Sequence, residues 1–272
     1  MTAWTETYRG VVKAWECDTF AHFTIAYYFD RLADCSAAML QTLGATAWQT
    51  DALVVRYLRE LRGGDGLHAE SAVLSSAADR LVLAHRILNS VTGETCSLVE
   101  QRLVPGPGAA PIAARPAPEG WDAATPTDAA APRAFVPTGR DLVKPEDVDE
   151  TGALTWAAYV HRFSGCGPHL LPRIGVTPQY LRDNKQGFST FETRLTLLGP
   201  RPRVGDLVAL RSGVLKFGKS SISVVHQMVD GHGGVIASLH QSGVQLDMVA
   251  RKSNPWPDSV RQAAETLLAG KA

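Results

Sequence analysis

Glu16-Cys17-Asp18-Thr19-Phe20-Ala21-His22-Phe23-Thr24 runs directly into a stretch in which Ile25, Tyr28, Phe29, Leu32, Ser36, Leu40 and Leu43 recur at helical spacing, stopped by Gly44. The spacing predicts a loop followed by a long helix from Ile25 to Leu43. A carboxylate and an imidazole, Asp18 and His22, therefore lie four residues apart at a helix start. The first N–H groups of a helix have no partner within it, and that end carries partial positive charge. An anion, or an oxygen gaining negative charge, is stabilised there. Asp18 and Thr24 fit two roles at this point. They cap the helix, or they place a base or nucleophile beside an oxyanion site.

The chain writes this arrangement twice. Asp149-Glu150-Thr151-Gly152-Ala153-Leu154-Thr155-Trp156-Ala157-Ala158-Tyr159 repeats it at an offset of 131, which sets Asp149 on Asp18, Thr155 on Thr24, Tyr159 on Tyr28 and Arg162 on Arg31. Downstream the offset is 141. Gly64-Asp65 matches Gly205-Asp206, Leu81 matches Ile222, His85 matches His226 and Gly93 matches Gly234. Self-similarity at this length means two copies of one supersecondary unit. The copies part at one telling place, where His22 corresponds to Ala153.

Composition sets the outer bounds. The chain has 272 residues, 45% of them apolar, and a formal net charge of zero. That suits a globular protein with a real core, and the balanced charge argues against nucleic acid or an anionic membrane as the main partner. Cys17, Cys35, Cys96 and Cys166 show no metal-binding spacing, so free thiols in a reducing compartment are expected. Residues 1–10 lack the apolar segment of a secretion signal, and no apolar run reaches the roughly 18 residues of a membrane span. A cytoplasmic location is expected.

Residues 6–15 alternate and predict a first strand. After the helix, residues 53–61, 67–76, 80–90 and 95–104 predict four more, with Gly63-Gly64-Asp65-Gly66 and Gly93 at turns. Residues 105–137 are rich in Ala, Pro and Gly and read as a linker, with Trp121 able to dock it. The second unit repeats the pattern over 138–250. Its helix starts near Thr155 and is interrupted at Gly165-Cys166-Gly167-Pro168. A short helix is expected over 178–185 and strands over 191–198, 207–215, 221–229 and 234–249. Residues 251–272 form a tail with an amphipathic helix from Asp258 to Leu268. The fold class is α+β: two tandem units, 1–104 and 138–250, each an antiparallel sheet folded against a helix.

These residues resemble the hotdog fold, and their text resembles the hydroxybenzoyl-CoA thioesterase type of hotdog protein. That family reads D-x-x-G-H-V-N-N-x-x-Y where this chain has Asp18, Ala21-His22-Phe23-Thr24 and Tyr28. Tyr57-Leu58-Arg59-Glu60-Leu61 before Gly64-Asp65, and Val214-Leu215-Lys216-Phe217-Gly218-Lys219-Ser220-Ser221-Ile222, are further family-like segments. Thr24 departs from the family's usual Asn. The resemblance implies hydrolysis of an acyl thioester of CoA or an acyl carrier, with no metal or organic cofactor. Asp18 would be base or nucleophile, with His22 and Thr24 beside it, the N–H near Ile25 polarising the carbonyl, and Asp149 as the second copy's carboxylate. Tyr28, Lys216, Lys219, Ser220, Ser221 and Arg80 would contact substrate or CoA. One composite site, with Asp18 and His22 from the first half and Lys216 and Lys219 from the second, is the expectation, as is two-fold pairing of tandem chains. Two other classes fit the fold: a hydratase or dehydratase acting on an acyl thioester, and a non-catalytic acyl-CoA-binding protein. His85 and His226, at equivalent mid-strand positions, are expected to share a packing role. Phe20, Phe23, Tyr27, Tyr28 and Trp156 either line an acyl pocket or belong to the core.

Overall fold

A computed structural model describes residues 4–18, 20–113, 118, 121 and 131–268. Thr19 and the middle of the segment expected to link the halves, apart from residues 118 and 121, fall outside that range. The chain divides into two compact units, Met1–Pro126 and Thr127–Ala272.

In unit 1, β1 (Thr5–Val11) leads through a 3-10 turn (Ala14–Glu16) and the Asp18 loop into α1 (Ile25–Leu43). Strands β2 (Trp48–Tyr57), β3 (Gly66–Ser76), β4 (Leu81–Asn89) and β5 (Thr95–Pro105) follow. The sheet order is β1-β3-β4-β5-β2, every pair antiparallel. Helix α1 buries Ala26, Tyr28, Phe29, Leu32, Cys35, Met39 and Leu40, the three-and-four spacing of one apolar face. It ends where Gly44 takes φ +64, a left-handed conformation that costs a residue without Cβ nothing. Beyond it, Met39, Leu40, Ala45 and Trp48 pack with Val73, Leu81, Leu83 and Leu103.

The first strand stops at Val11, short of the expected residue 15. Glu16 folds back so that its Oε2 accepts the Lys13 N–H at 2.9 Å, which winds residues 14–16 into a turn. The second strand begins at Trp48, before residue 53, and leaves Glu60 outside it. Trp121 does dock the chain after β5: its ring lies 5.9 Å from that of Trp4.

Unit 2 opens with β6 (Val136–Leu142), a 3-10 turn (Pro145–Asp147) and α2 (Trp156–Ser164). Gly165 and Pro168 end α2 after nine residues, since Pro has no N–H for the next helical bond. The chain continues as α3 (Gly167–Leu170), a 3-10 turn (Leu171–Ile174) and α4 (Pro178–Asp183), then β7 (Gln186–Leu197), β8 (Leu207–Phe217), β9 (Ser221–Val229), β10 (Val235–Asp247), β11 (Lys252–Ser253) and α5 (Asp258–Leu268). The order is β7-β10-β9-β8-β6, with β11 on β10. Val214, Ile222 and Val224 stand where Val73, Leu81 and Leu83 stand in unit 1. They are covered by Leu170, Ile174 and Val176 and by Trp256, Val260, Ala264 and Leu267. Segments after the helix break and the C-terminal helix thus fill the space that the second half of α1 fills in unit 1. The tail is core.

Each sheet also carries a buried polar chain against its helix side. In unit 1, Thr7 bonds Ser71 (2.7 Å), Ser71 bonds His85 Nδ1 (2.7 Å), His85 Nε2 bonds Gln101 Oε1 (2.7 Å), and Gln101 Nε2 donates to Ser36 (2.8 Å) and Thr50 (2.6 Å). In unit 2, Thr138, Ser212 and His226 repeat it at 2.7 Å spacings. Gln241 bonds both His226 and Thr190. Strand register sets Gln101 opposite Leu83 and Gln241 opposite Val224. The offset is 140 there, not the 141 expected throughout, because the turn before the last strand is one residue shorter in unit 2: Asn89 N–H closes it on the Glu94 carbonyl in unit 1, Asp230 N–H on that of Gly234 in unit 2. The shared packing role expected of His85 and His226 is what the structure shows: both are buried and hydrogen-bonded.

Candidate active-site loops

The two loops have one backbone. Asp18 N–H bonds the His22 carbonyl and Asp149 N–H the Ala153 carbonyl, each at 2.9 Å. Ala21 N–H bonds the Asp18 carbonyl (3.0 Å) and Gly152 N–H that of Asp149 (2.8 Å). Phe23 and Leu154 donate to the carbonyls of Leu61 and Pro202 at 2.8 Å, and Thr24 and Thr155 to those of Glu16 and Asp147. The turn needs a left-handed residue: Gly152 has φ +75, and Ala21 supplies it at φ +61.

An ion pair anchors each loop to its helix. Glu16 accepts from Arg31 of α1, both buried, and Asp147 accepts from Arg162 of α2 at 2.7 Å. Glu16 and Asp147 are equivalent at an offset of 131. Burial works to raise the Asp147 carboxyl, but the Arg162 bond and the Lys144 N–H carry it below the ordinary range.

The side chains around the two aspartates differ. Asp18 Oδ1 accepts the N–H groups of Phe20 (2.8 Å) and His22 (3.0 Å). Among the described residues, its Oδ2 has only His22 Nδ1 nearby, at 3.9 Å. His22 Nε2 lies 3.2 Å from Glu60 Oε2 and 3.3 Å from Arg62 Nη2. That nitrogen faces an acceptor and a donor, so it can give a proton to Glu60 or take a hydrogen bond from Arg62. Asp149 Oδ1 instead accepts Thr151 N–H (2.9 Å), the Thr151 hydroxyl (2.6 Å) and Ala153 N–H (3.2 Å). Its Oδ2 is held by Arg201 at 2.6 Å, and that guanidinium also donates to the Ala153 and Leu154 carbonyls. Burial acts to raise the Asp149 carboxyl, but the Thr151 and Arg201 bonds outweigh it and hold it below the ordinary range. Arg201 stands at the position of Glu60. Sequence reading passed over Glu60 and Arg201 although the 141 offset aligns them with opposite charges.

The helix starts differ as well. Thr155 caps α2 by accepting from Ala158 N–H at 3.2 Å, whereas Thr24 makes no side-chain cap on α1. Ile25 is the first residue of α1 and half-buried, so its N–H belongs to the set a helix leaves unpaired. Tyr28 lies in the interior, its ring 4.6 Å from Phe23 and 5.2 Å from Tyr57 and its hydroxyl on the Leu61 backbone. Phe23 and Tyr28 are therefore core residues of unit 1, while Phe20 is exposed. Arg80 lies in the exposed β3–β4 turn of unit 1. In unit 2, Lys216 is the next-to-last residue of β8 and Lys219 sits in the β8–β9 turn, both exposed, with the Ser220 and Ser221 carbonyls taken by Gln245 and Gly218 N–H.

A loop aspartate leading into a helix packed on an antiparallel sheet is the plan of a hotdog unit, present here twice, with the loop histidine in the first copy alone. The family model of the Thioesterase-like superfamily matches residues 12–105 and 143–264, and the chain belongs to that family. No curated protein sequence matches it. An acyl-ACP thioesterase from Bacteroides thetaiotaomicron superposes with a TM-score of 0.66 at 11% identity, over 89% of this chain and 98% of that one. The 12:0-ACP thioesterase of Umbellularia californica gives 0.62 at 9% identity, over 89% and 94%. An acyl-CoA thioesterase II from Mycobacterium marinum gives 0.55 at 10%, over 88% and 92%. At these identities the likeness is one of fold. No helix among the described residues is long and apolar enough to cross a membrane.

Proposed function

We propose that the chain is a cytoplasmic hydrolase of acyl thioesters, of the hydroxybenzoyl-CoA thioesterase type, and that the Asp18 loop carries the chemistry. The observation behind this is the contrast between two aspartates on one backbone. Two N–H groups fix Asp18 through one oxygen, and among the described residues the other oxygen has only His22 near it, which leaves it to water in this reading; Glu60 stands on the far side of that imidazole. Arg201 and Thr151 occupy Asp149 on both oxygens. In this reading Asp18 takes the proton of an attacking water, or attacks the carbonyl itself. The N–H of Ile25 steadies the oxygen that gains charge, and the thiolate leaves without needing a metal. Asp149 is then a loop fastener. The Lys216–Ser221 turn is kept as a phosphate contact of unit 2.

The test is thiol release from a panel of acyl-CoA thioesters by the full chain, Asp18→Asn and Asp149→Asn, each checked for folding. Asp18→Asn should lower kcat by at least about a hundredfold. Asp149→Asn should keep most of kcat and lower the melting temperature, because it loosens the Arg201 clasp. Equal losses of kcat in both would remove the distinction between the loops.

A further inference from the structure

The loop positions either side of Asp18 face solvent in both units, yet carry different chemistry. Trp15 is 72% exposed and Phe20 is 48% exposed. Their counterparts in unit 2, at the same offset of 131, are Glu146 and Thr151, both exposed. Unit 2 shows what solvent alone asks of these positions, namely polar side chains. Leaving large aromatic surface in water forgoes burial that favours such groups by about 25 cal/mol per Å², and exposed apolar surface beside a polar site marks ligand contact.

The Phe20 ring is held at the Asp18 site, and Trp15 stands on the same loop, one turn before it. Phe20 N–H donates to Asp18 Oδ1 at 2.8 Å, and the Phe20 ring lies 6.3 Å from that of His22. Thr151, in the same place, turns its hydroxyl onto Asp149. Phenylalanine cannot do that, so the substitution both spares the carboxylate and sets an apolar lip over the imidazole. Trp15 is three residues before Asp18, so their Cα atoms are no more than about 11 Å apart. One face of its ring is covered by Lys13 Nζ at 5.3 Å from the centroid. The electrostatics add a second selection. Asp18 and Glu60 flank His22 and outnumber Arg62, which lies 3.3 Å from His22 Nε2 and is paired with Glu60 at 3.6 Å, and residues 1–126 hold 14 acidic against 10 basic side chains. An acyl group ending in a carboxylate would meet like charge, and the carboxylate product would be pushed out.

We infer that Trp15 and Phe20 are specificity-determining residues that receive an uncharged, bulky apolar acyl group, alkyl or aryl, beside Asp18. This rests on the thioester-hydrolase reading. The experiment compares acetyl-, octanoyl-, phenylacetyl- and glutaryl-CoA with the full chain and with Phe20→Ala, Phe20→Leu and Trp15→Ala. Affinity for the non-hydrolysable thioether S-octyl-CoA is measured in parallel by calorimetry. Expected are a preference for octanoyl and phenylacetyl over acetyl and glutaryl, and a rise in KM of about three- to tenfold for the bulky substrates in the alanine variants. The loss should shrink toward acetyl, and Phe20→Leu should recover most of it. A loss of equal size for every acyl group, or one falling on kcat alone, overturns the assignment and makes the rings loop supports. If the full chain hydrolyses none of the thioesters, the hydrolase reading fails by itself. S-octyl-CoA then decides the contact: weaker binding in both alanine variants upholds it, and unchanged binding overturns it.

Discussion

Ala21 shows at the residue scale what the loop demands. It holds φ +61, and the equivalent Gly152 holds φ +75. The left-handed region costs a residue with Cβ about 1–2 kcal/mol, partly offset because glycine gives the unfolded chain more freedom. Ala21→Gly should therefore stabilise unit 1 by about 0.5–1 kcal/mol, and Gly152→Ala should destabilise unit 2 by a similar amount. Urea midpoints for the two variants check this; shifts of the same sign would mean that something other than backbone strain governs the turn. No Cβ clash confuses the second variant, since the nearest atom to an added Cβ at Gly152 is Arg203 Nη1 at 3.5 Å.

Among the elements, α5 carries the clearest consequence. The Trp256 ring packs 5.5 Å from the Phe217 ring, its indole N–H donates to the Ser221 carbonyl at 3.4 Å, the backbone N–H bonds the Lys219 carbonyl at 2.9 Å, and Val260, Ala264 and Leu267 are buried in the same cluster. Trp256→Ala should cost about 3–5 kcal/mol, as expected for an emptied aromatic core site; a loss under about 1 kcal/mol in urea unfolding would make the tail an appendage. Apolar spacing and Gly44 made α1 legible to the residue, and the repeat made two sheets legible, because those signals are local or self-similar. The end of β1 was not, since Glu16 reaching back to Lys13 is a side-chain event without a periodic trace. Gln101 and Gln241 were hidden by a turn one residue shorter in unit 2, which slips the last strand by one. Glu60 and Arg201 were missed because their meaning lies in what the fold brings across from them. That α5 is core could not be read from an amphipathic pattern that would suit a surface helix equally well.

Across the whole molecule, two buried imidazoles set the response to acid. Burial drives His85 down to about 4, against a smaller upward pull from its Gln101 bond, and His226 to about 4 in the same way. Between pH 6.5 and about 4 the unfolded chain takes up a proton on each ring that the folded chain refuses. Stability is therefore full above pH 6.5 and falls as pH drops through that window, by about 3 kcal/mol per ring at its lower end. Urea midpoints at pH 7, 5.5 and 4.5 should decline in step, and a flat profile would contradict the buried networks. The same networks also fix the direction of every proton. Gln101 spends both amide hydrogens on Ser36 and Thr50, so its oxygen must face His85, Nε2 must carry the ring proton, and Nδ1 must accept from Ser71. Because Ser36 belongs to α1, this one-way chain keys the helix to a single rotational setting against its sheet. In unit 2 the residue in that place is Gly167, beyond the helix break. Unit 1 is thus built as a lock with its key in place, whereas in unit 2 Gly167, having no side chain, cannot turn that key, and the same sheet code meets its covering segments without it.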